Sequence, residues 1–233
     1  MNDACGPPVR RRPAVVRPRD AASLILLRGE GAGLEVLVGR RSSRAKFMPG
    51  VYVFPGGGIE PPDRFPWSVE AGAESLTPRL RRGARAALRE TWEEVGVLVG
   101  RGTAALDAAP VSPAWAPIEH AYRAHGLAAA IDRLTYVGRA ITPSYSSRRF
   151  NTRFFVSDGA DVFGESRPSE ELEDAGWRRI EDNLLESLRD VTRFMLARAL
   201  ALREGTESSQ APLFYWAKNA RRVGICREAR ADK

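Results

Sequence analysis

Between residues 78 and 96 the chain carries one amphipathic segment that any fold must accommodate. Leu80, Ala84, Ala87, Leu88, Thr91 and Val95 recur at three- and four-residue spacing, the period of a helix with one buried stripe. Pro78 suits a first helical turn and Gly96 the position after the last. The spacing predicts a helix over 79–95, in which Gly83 costs about 1 kcal/mol relative to alanine. A stripe of that length needs a partner surface, and the flanking sequence offers strands. Residues 21–27 read as a buried strand, 29–33 as a turn and 34–39 as the hairpin partner. Residues 51–54 form a short strand stopped by Pro55-Gly56-Gly57-Gly58. Residues 61–77, with prolines at 61, 62 and 66, read as a loop or insertion, and 98–117 as a loose stretch. Helices are predicted over 118–133 and 183–203, strands over 135–141, 153–157 and 176–180, an acidic loop over 164–174, and a short aromatic anchor at 213–216. There is no internal repeat. Strands and helices do not alternate regularly, so the expected class is α+β, one domain around a mixed sheet.

Charge narrows the function classes. The 233 residues carry a net charge of +7, which invites a nucleic-acid reading. Residues 1–20 hold five arginines against two aspartates, for +3; residues 218–233 hold six basic against two acidic residues, for +4. The middle, with 25 basic and 25 acidic residues, is neutral. The expectation is therefore a domain over 21–217, with an insertion near 64–78, between basic tails at 1–20 and 218–233. No nucleic-acid partner is expected. Arginine outnumbers lysine 33 to 3, which reads as base composition more than chemistry. No apolar run approaches the ~20 residues that span a bilayer, so no membrane partner is expected either. Cys5 and Cys226 form no framework or zinc pattern. The N-terminus lacks the apolar core of a secretory signal. Its arginines leave a transit peptide open, while Asp3 and the prolines weigh against an amphipathic helix there. A cytoplasmic setting is expected.

The chemistry is concentrated in Arg89-Glu90-Thr91-Trp92-Glu93-Glu94-Val95-Gly96-Val97. Helical spacing puts Glu90, Glu93 and Glu94 on one edge, where like charges repel. A hard divalent cation, Mg2+ or Mn2+, is one natural compensator, since it prefers oxygen ligands. A solvated acidic face balanced by Arg82, Arg85 and Arg89 is the other reading of this segment alone. Upstream, the glycines 56–58 follow a strand and precede Glu60 and Asp63. Such glycines let backbone approach a ligand, or simply make a tight turn.

Together these residues resemble the Nudix hydrolase signature, G-x5-E-x7-R-E-U-x-E-E-x-G-U, with U a bulky aliphatic residue. Gly57 matches the first glycine, and Asp63 stands where the family has Glu. Arg89, Glu90, Glu93, Glu94, Gly96 and Val97 match the second half, and Thr91 departs at the first U. The spacer between Asp63 and Arg89 holds 25 residues instead of seven, an insertion of 18 placed in the proline-rich segment before the helix. The resemblance implies an α/β/α sandwich with a mixed central sheet, and metal-dependent hydrolysis of a nucleoside diphosphate linked to another moiety. It implies Glu90, Glu93 and Glu94 as ligands of Mg2+ or Mn2+, with backbone of Gly57 nearby. Glu90 or a loop carboxylate would take the proton of the attacking water, and Arg89 would orient Glu90. Asp63, Glu170, Glu171 and Glu173 are candidates for a further carboxylate, since related enzymes often bring one from a later loop; Glu165 and Asp174 lie in the same acidic stretch. Surface acidity is the other reading of each.

A second similarity precedes the glycine turn. Coenzyme A diphosphatases of the family carry L-L-T-x-R-[SA]-x3-R-x3-G-x3-F-P-G-G. Leu37, Arg41, Ser42, Gly50 and Phe54-Pro55-Gly56-Gly57 fit; Val38, Gly39 and Lys46 depart. With the long insertion, the chain is similar to a peroxisomal-type subgroup and its bacterial relatives. This resemblance implies coenzyme A or acyl-CoA as substrate, with Arg41, Ser42 and Lys46 beside the phosphates. Arg40 and Arg44 add to the same cationic loop, and a loop that is basic without a ligand is the alternative. Arg148, Arg149 and Phe150 are a further candidate substrate segment, or a strand with a basic approach. The insertion and the helix over 118–133 are expected to line the pocket. His120 and His125 are read as non-catalytic. A nucleotide-binding sensor without hydrolysis, and a diphosphatase for ADP-ribose or dinucleotides, are the alternatives. Relatives are often dimers, so a homodimer is a further expectation.

Overall fold

Seven consecutive residues of the first strand, 21–27, are buried, because both faces of the strand are covered. A computed structural model describes residues 16–45, 48–103, 116–207, 210–217 and 220–226. Its strands β1 (Arg19–Arg28), β2 (Glu35–Arg41), β3 (Tyr52–Val53), β4 (Gly56–Gly58) and β5 (Glu70–Ala71) precede helix α1 (Pro78–Val95). Then follow β6 (Leu98–Gly102), α2 (Ala116–Ala124), β7 (Leu127–Ala130), β8 (Thr135–Ile141), β9 (Phe150–Asp158), β10 (Val162–Phe163) and β11 (Leu172–Arg179). Helices α3 (Asp182–Ser187) and α4 (Asp190–Arg203) lead to β12 (Pro212–Ala217) and β13 (Ala220–Ile225).

Among the described residues the main sheet is mixed and has nine strands, in the order β11-β2-β1-β9-β8-β12-β13, with β3 on β2 and β4 on β1. Strand β1 runs parallel to β9, from Arg19 opposite Phe150 to Leu27 opposite Asp158, and antiparallel to β2 and β4. Its side chains alternate between two cores, as a period of two requires. Leu24 and Leu26 pack with Ala84 and Leu88 of α1, while Ile25 and Leu27 pack with Met195 and Leu196 of α4. A helix therefore covers each face of the sheet, which is the expected sandwich. The α1 side also holds a smaller sheet, β10-β6-β7-β5. Gly83 is explained by close packing: a Cβ there would lie 3.2 Å from the Phe155 ring and 3.3 Å from Arg153 on β9.

Several expectations need correction. The helix expected over 118–133 ends at Ala124, because Gly126 takes a φ of +62° and the apolar run after it pairs as β7. The single helix expected over 183–203 is two, broken between α3 and α4 at Leu188 and Arg189, which are extended. Strand β6 falls inside the stretch expected to be loose, and the aromatic anchor is β12. The basic tail expected from residue 218 is structured over β13, which pairs with β12 from Ala217↔Ala220 to Pro212↔Ile225 at the sheet edge. Residues 1–15 and 227–233 of the expected tails lie outside the described residues. No helix among the described residues is long and apolar enough to cross a membrane.

Candidate active site

Helix α1 aims the three glutamates by fixing its apolar stripe against β1 and β9, which turns the flanking edge toward the glycine strand β4. Thr77 starts the helix by accepting from the Leu80 amide, and Gly96 ends it in a left-handed conformation. The Gly56 amide donates to Glu94 Oε2 at 2.7 Å. A Cβ on Gly57 would lie 2.4 Å from the Glu90 carboxylate, so only glycine leaves room for Glu90 where it stands. Strand β4 is itself held in register on β1, with Gly57 opposite Ala22.

Arg89 gathers this edge. Its Nη1 donates to Glu90 Oε1 and Glu93 Oε2, both at 2.9 Å, and its Nη2 donates to the Gly58 carbonyl at 2.9 Å and faces Asp63 Oδ2 at 3.4 Å. Burial pushes Glu90 up to about 7 against the pull of Arg89, with Glu93 and Glu171 adding to the rise. Burial likewise pushes Glu94 up to about 8, against the Gly56 amide and with Glu90 and Glu171 adding to it. Burial lowers Arg89, but the carboxylates of Glu90, Asp63 and Glu93 outweigh it and hold the guanidinium firmly protonated. Glu93 is the exposed member, at 47%.

Beside this edge opens a cavity of about 820 Å3. Glu90, Glu171, Arg41 and the glycines 56–58 lie on its wall. Its apolar wall includes Phe150, Phe154, Phe214 and Trp216, and Arg189 and Thr192 at the start of α4 also line it. Sequence reasoning noticed the aromatics at 213–216 without assigning them to the pocket, and it missed Arg189, Thr192 and Tyr145. Pairing of β12 with β8 carries the aromatics there, a contact that no local pattern announces.

The remaining candidates separate. Glu171 lines the cavity and its charge reaches both Glu90 and Glu94. Glu170 is exposed and does not line the cavity. Glu173 accepts from Ser42 Oγ at 3.0 Å and faces Arg40 at 3.7 Å, so Ser42 is turned to a carboxylate. Asp63 is fully buried, accepts from the Glu60 amide at 2.7 Å and stays out of the cavity. Arg149 donates to the Thr142 carbonyl at 3.1 Å and the Val16 carbonyl at 2.7 Å, pinning backbone, and does not line the cavity. Lys46 lies outside the described residues. Contrary to expectation, no described residue of 64–78 or of 118–133 lines the cavity. Trp67 of the insertion packs instead on Tyr122 of α2, with ring centroids 6.2 Å apart, and Ser68 donates to both oxygens of the buried Glu119. His120 and His125 are exposed and lie away from the cavity.

Glu90, Glu93, Glu94 and Glu171 are oxygen donors, the chemistry a hard divalent cation takes. Among the described residues no three such side chains already converge on one point, since Arg89 and the Gly56 amide occupy the helical carboxylates. Burying carboxylates together raises their proton affinity, and a cation offsets the same repulsion. The donor set fits such an ion.

Comparison with known proteins bears on this arrangement. The NUDIX domain family matches residues 17–198. The NUDIX hydrolase from Alicyclobacillus acidocaldarius is 30% identical, over 80% of this chain and 93% of its own, with a TM-score of 0.59. The MutT protein from Methanosarcina mazei Go1 is 18% identical, over 83% of this chain and 100% of its own, with a TM-score of 0.47. No curated protein matches the chain.

Proposed function

Because the chain belongs to the Nudix family of pyrophosphohydrolases, we propose that its cavity binds a nucleoside diphosphate derivative and that the α1 edge cleaves the diphosphate linkage. The observation that carries this reading is the common wall of the cavity, where Glu90, Glu171, Arg41 and the glycines 56–58 meet. Glu90, Glu93 and Glu94, with the Gly57 backbone, would hold Mg2+ or Mn2+. Such a cation, when bound, screens phosphate charge and makes water a better nucleophile.

The chain's own residues do the rest. Arg89 fixes the rotamers of Glu90 and Glu93 by sharing one nitrogen between them. Glu171 is assigned to accept the proton of the attacking water. It lines the cavity and pairs with no cation among the described residues, whereas Arg89 already takes one oxygen of Glu90. A general base must reach the proton it removes, which only a cavity-lining carboxylate does. Arg41 and Arg189 on the cavity wall supply charge for phosphate oxygens.

Within this class we propose coenzyme A or acyl-CoA as the substrate. The sequence around Arg41 and Phe54-Pro55-Gly56-Gly57 supports it. So does a cavity with two arginines and a long aromatic wall, which suits a multiply phosphorylated nucleotide bearing an uncharged arm. The test is purified protein with Mn2+ against coenzyme A, ADP-ribose, dinucleotides and nucleoside triphosphates, with products read by mass. The expected products are 3′-phosphoadenosine 5′-phosphate and a phosphopantetheine. Turnover of ADP-ribose or a dinucleotide in place of coenzyme A overturns the substrate and leaves the diphosphatase; no turnover of any, with Mn2+ bound, favours a sensor.

A further inference from the structure

The insertion is built like part of the core. Trp67 and Val69 are buried, β5 pairs parallel to β7 with Glu70 opposite Ala129, and Ser68 is clamped by Glu119. What this framework presents to α1 is Glu70. Its two oxygens take Arg85 Nε at 2.7 Å and Nη2 at 2.8 Å, a two-point fork buried on both sides. The remaining terminal nitrogen of Arg85, Nη1, donates to the backbone carbonyl of Asp63 at 3.1 Å. The side chain of Asp63 faces Arg89, and Arg89 holds Glu90 and Glu93. Arg85 and Arg89 are one helical turn apart, so two buried guanidinium groups flank one buried aspartate.

We propose that Glu70 is a positioning residue: by saturating Arg85 it reserves the Asp63 carboxylate for Arg89, and so keeps Arg89 aimed at Glu90 and Glu93. The physical reason is competition. A buried cation that loses its partner is strongly unfavourable, so a second anion within reach is drawn to it. For Arg85 the buried anion at hand is Asp63, whose backbone carbonyl it already touches. Moving Asp63 toward Arg85 lengthens its 3.4 Å contact with Arg89, and small displacements of such a group are costly in rate. The insertion thus acts through charge placement behind the helix, away from the substrate cavity. The proposal rests on the site assignment under Proposed function.

Two variants test it in the full chain: Glu70→Gln, and the double variant Glu70→Met with Arg85→Met, which removes both charges and keeps the volume filled. Mn2+ affinity by calorimetry and steady-state turnover are read for each, with folding followed by circular dichroism. The expected result for Glu70→Gln is a fall of at least tenfold in kcat and severalfold in Mn2+ affinity at little change in KM. The double variant is expected to recover most of both, because no stray guanidinium is left to draw on Asp63. A Glu70→Gln protein that folds with wild-type Mn2+ affinity and kcat overturns the proposal. So does a double variant as impaired as the single, since removing the stray guanidinium would then have relieved nothing. If Glu70→Gln does not fold, Glu70→Asp, which shortens the fork, takes its place: lowered kcat and Mn2+ affinity that the double variant recovers support the proposal, and wild-type values in Glu70→Asp overturn it. A wild-type chain that binds no Mn2+ and hydrolyses nothing fails the site assignment itself, an outcome these variants do not imitate.

Discussion

Gly57 and Glu90 compete for one volume: a Cβ on residue 57 would sit 2.4 Å from the Glu90 carboxylate carbon, inside any allowed contact. The first glycine of the signature is therefore a steric condition on a carboxylate 33 positions later. Gly57→Ala should displace Glu90 while leaving β4 paired with β1. We expect turnover to fall by about 10²-fold, since misplacement of a reacting group by about 1 Å has that scale. The far-ultraviolet circular dichroism should be unchanged. Wild-type turnover in a folded Gly57→Ala protein would show that Glu90 can move without consequence.

Glu94→Gln separates folding from chemistry. The amide oxygen of glutamine can still accept from the Gly56 amide, so the helix–strand contact survives. A neutral side chain also removes a charge that burial disfavours. Mn2+-dependent turnover should drop by about 10²-fold or more while the melting temperature holds or rises. Glu93→Gln should lose turnover in the same way with still less structural effect, because Glu93 is half exposed.

The metal-free protein should be least stable at alkaline pH. Glu90 and Glu94 stand at about 7 and about 8 in the fold, against an ordinary 4.5. The folded chain therefore keeps protons that the unfolded chain has released. That contribution is whole below pH 4.5 and is lost as pH rises through 7 and 8, on the order of a few kcal/mol. Melting temperatures recorded with a chelator from pH 5.5 to 8.5 should fall along this range. Adding Mn2+ should restore them most at the alkaline end, since binding requires the deprotonated carboxylates. A flat chelator profile would contradict the burial assigned to these two groups.

Arg41 and Arg149 should behave oppositely. Arg41 lines the cavity, so Arg41→Ala should raise KM by about tenfold, the scale of one charge-assisted phosphate contact. Arg149 holds two backbone carbonyls, so Arg149→Ala should lower stability by about 1–3 kcal/mol in denaturant titrations with KM unchanged.

Trp67→Ala probes the insertion's packing. Removing a buried indole costs about 3–5 kcal/mol, and Trp67 lies against Tyr122 within the α1-side core. Thermal unfolding should show the loss, while KM stays near wild type because Trp67 does not line the cavity.

Much of this molecule was legible in its residues. The period of α1, the unbroken apolar run of β1 and the hairpin to β2 are local signals, and each element formed within a few residues of its expected bounds. The three glutamates and Arg89 share an edge because helical spacing alone puts them there. What local pattern could not supply is pairing across the chain. Alanines after Gly126 continue a helix as readily as they form a buried strand, and β6 decides the matter. Arg149 looks like a phosphate ligand until Val16 and Thr142 are seen to claim it. The insertion looked like a loop because its prolines are visible in sequence, whereas the carboxylate of Glu119 that anchors it is 51 residues from Ser68.

The cavity draws its two walls from distant parts of the chain. Glu90 and the glycines come from its first half, and Phe214 and Trp216 from β12, which lies between β8 and the outermost strand β13. On the proposed assignment, reaction and selectivity therefore draw on separate stretches of the chain. A substitution in β12 would then change which molecule is accepted while the glutamate edge of α1 stays intact.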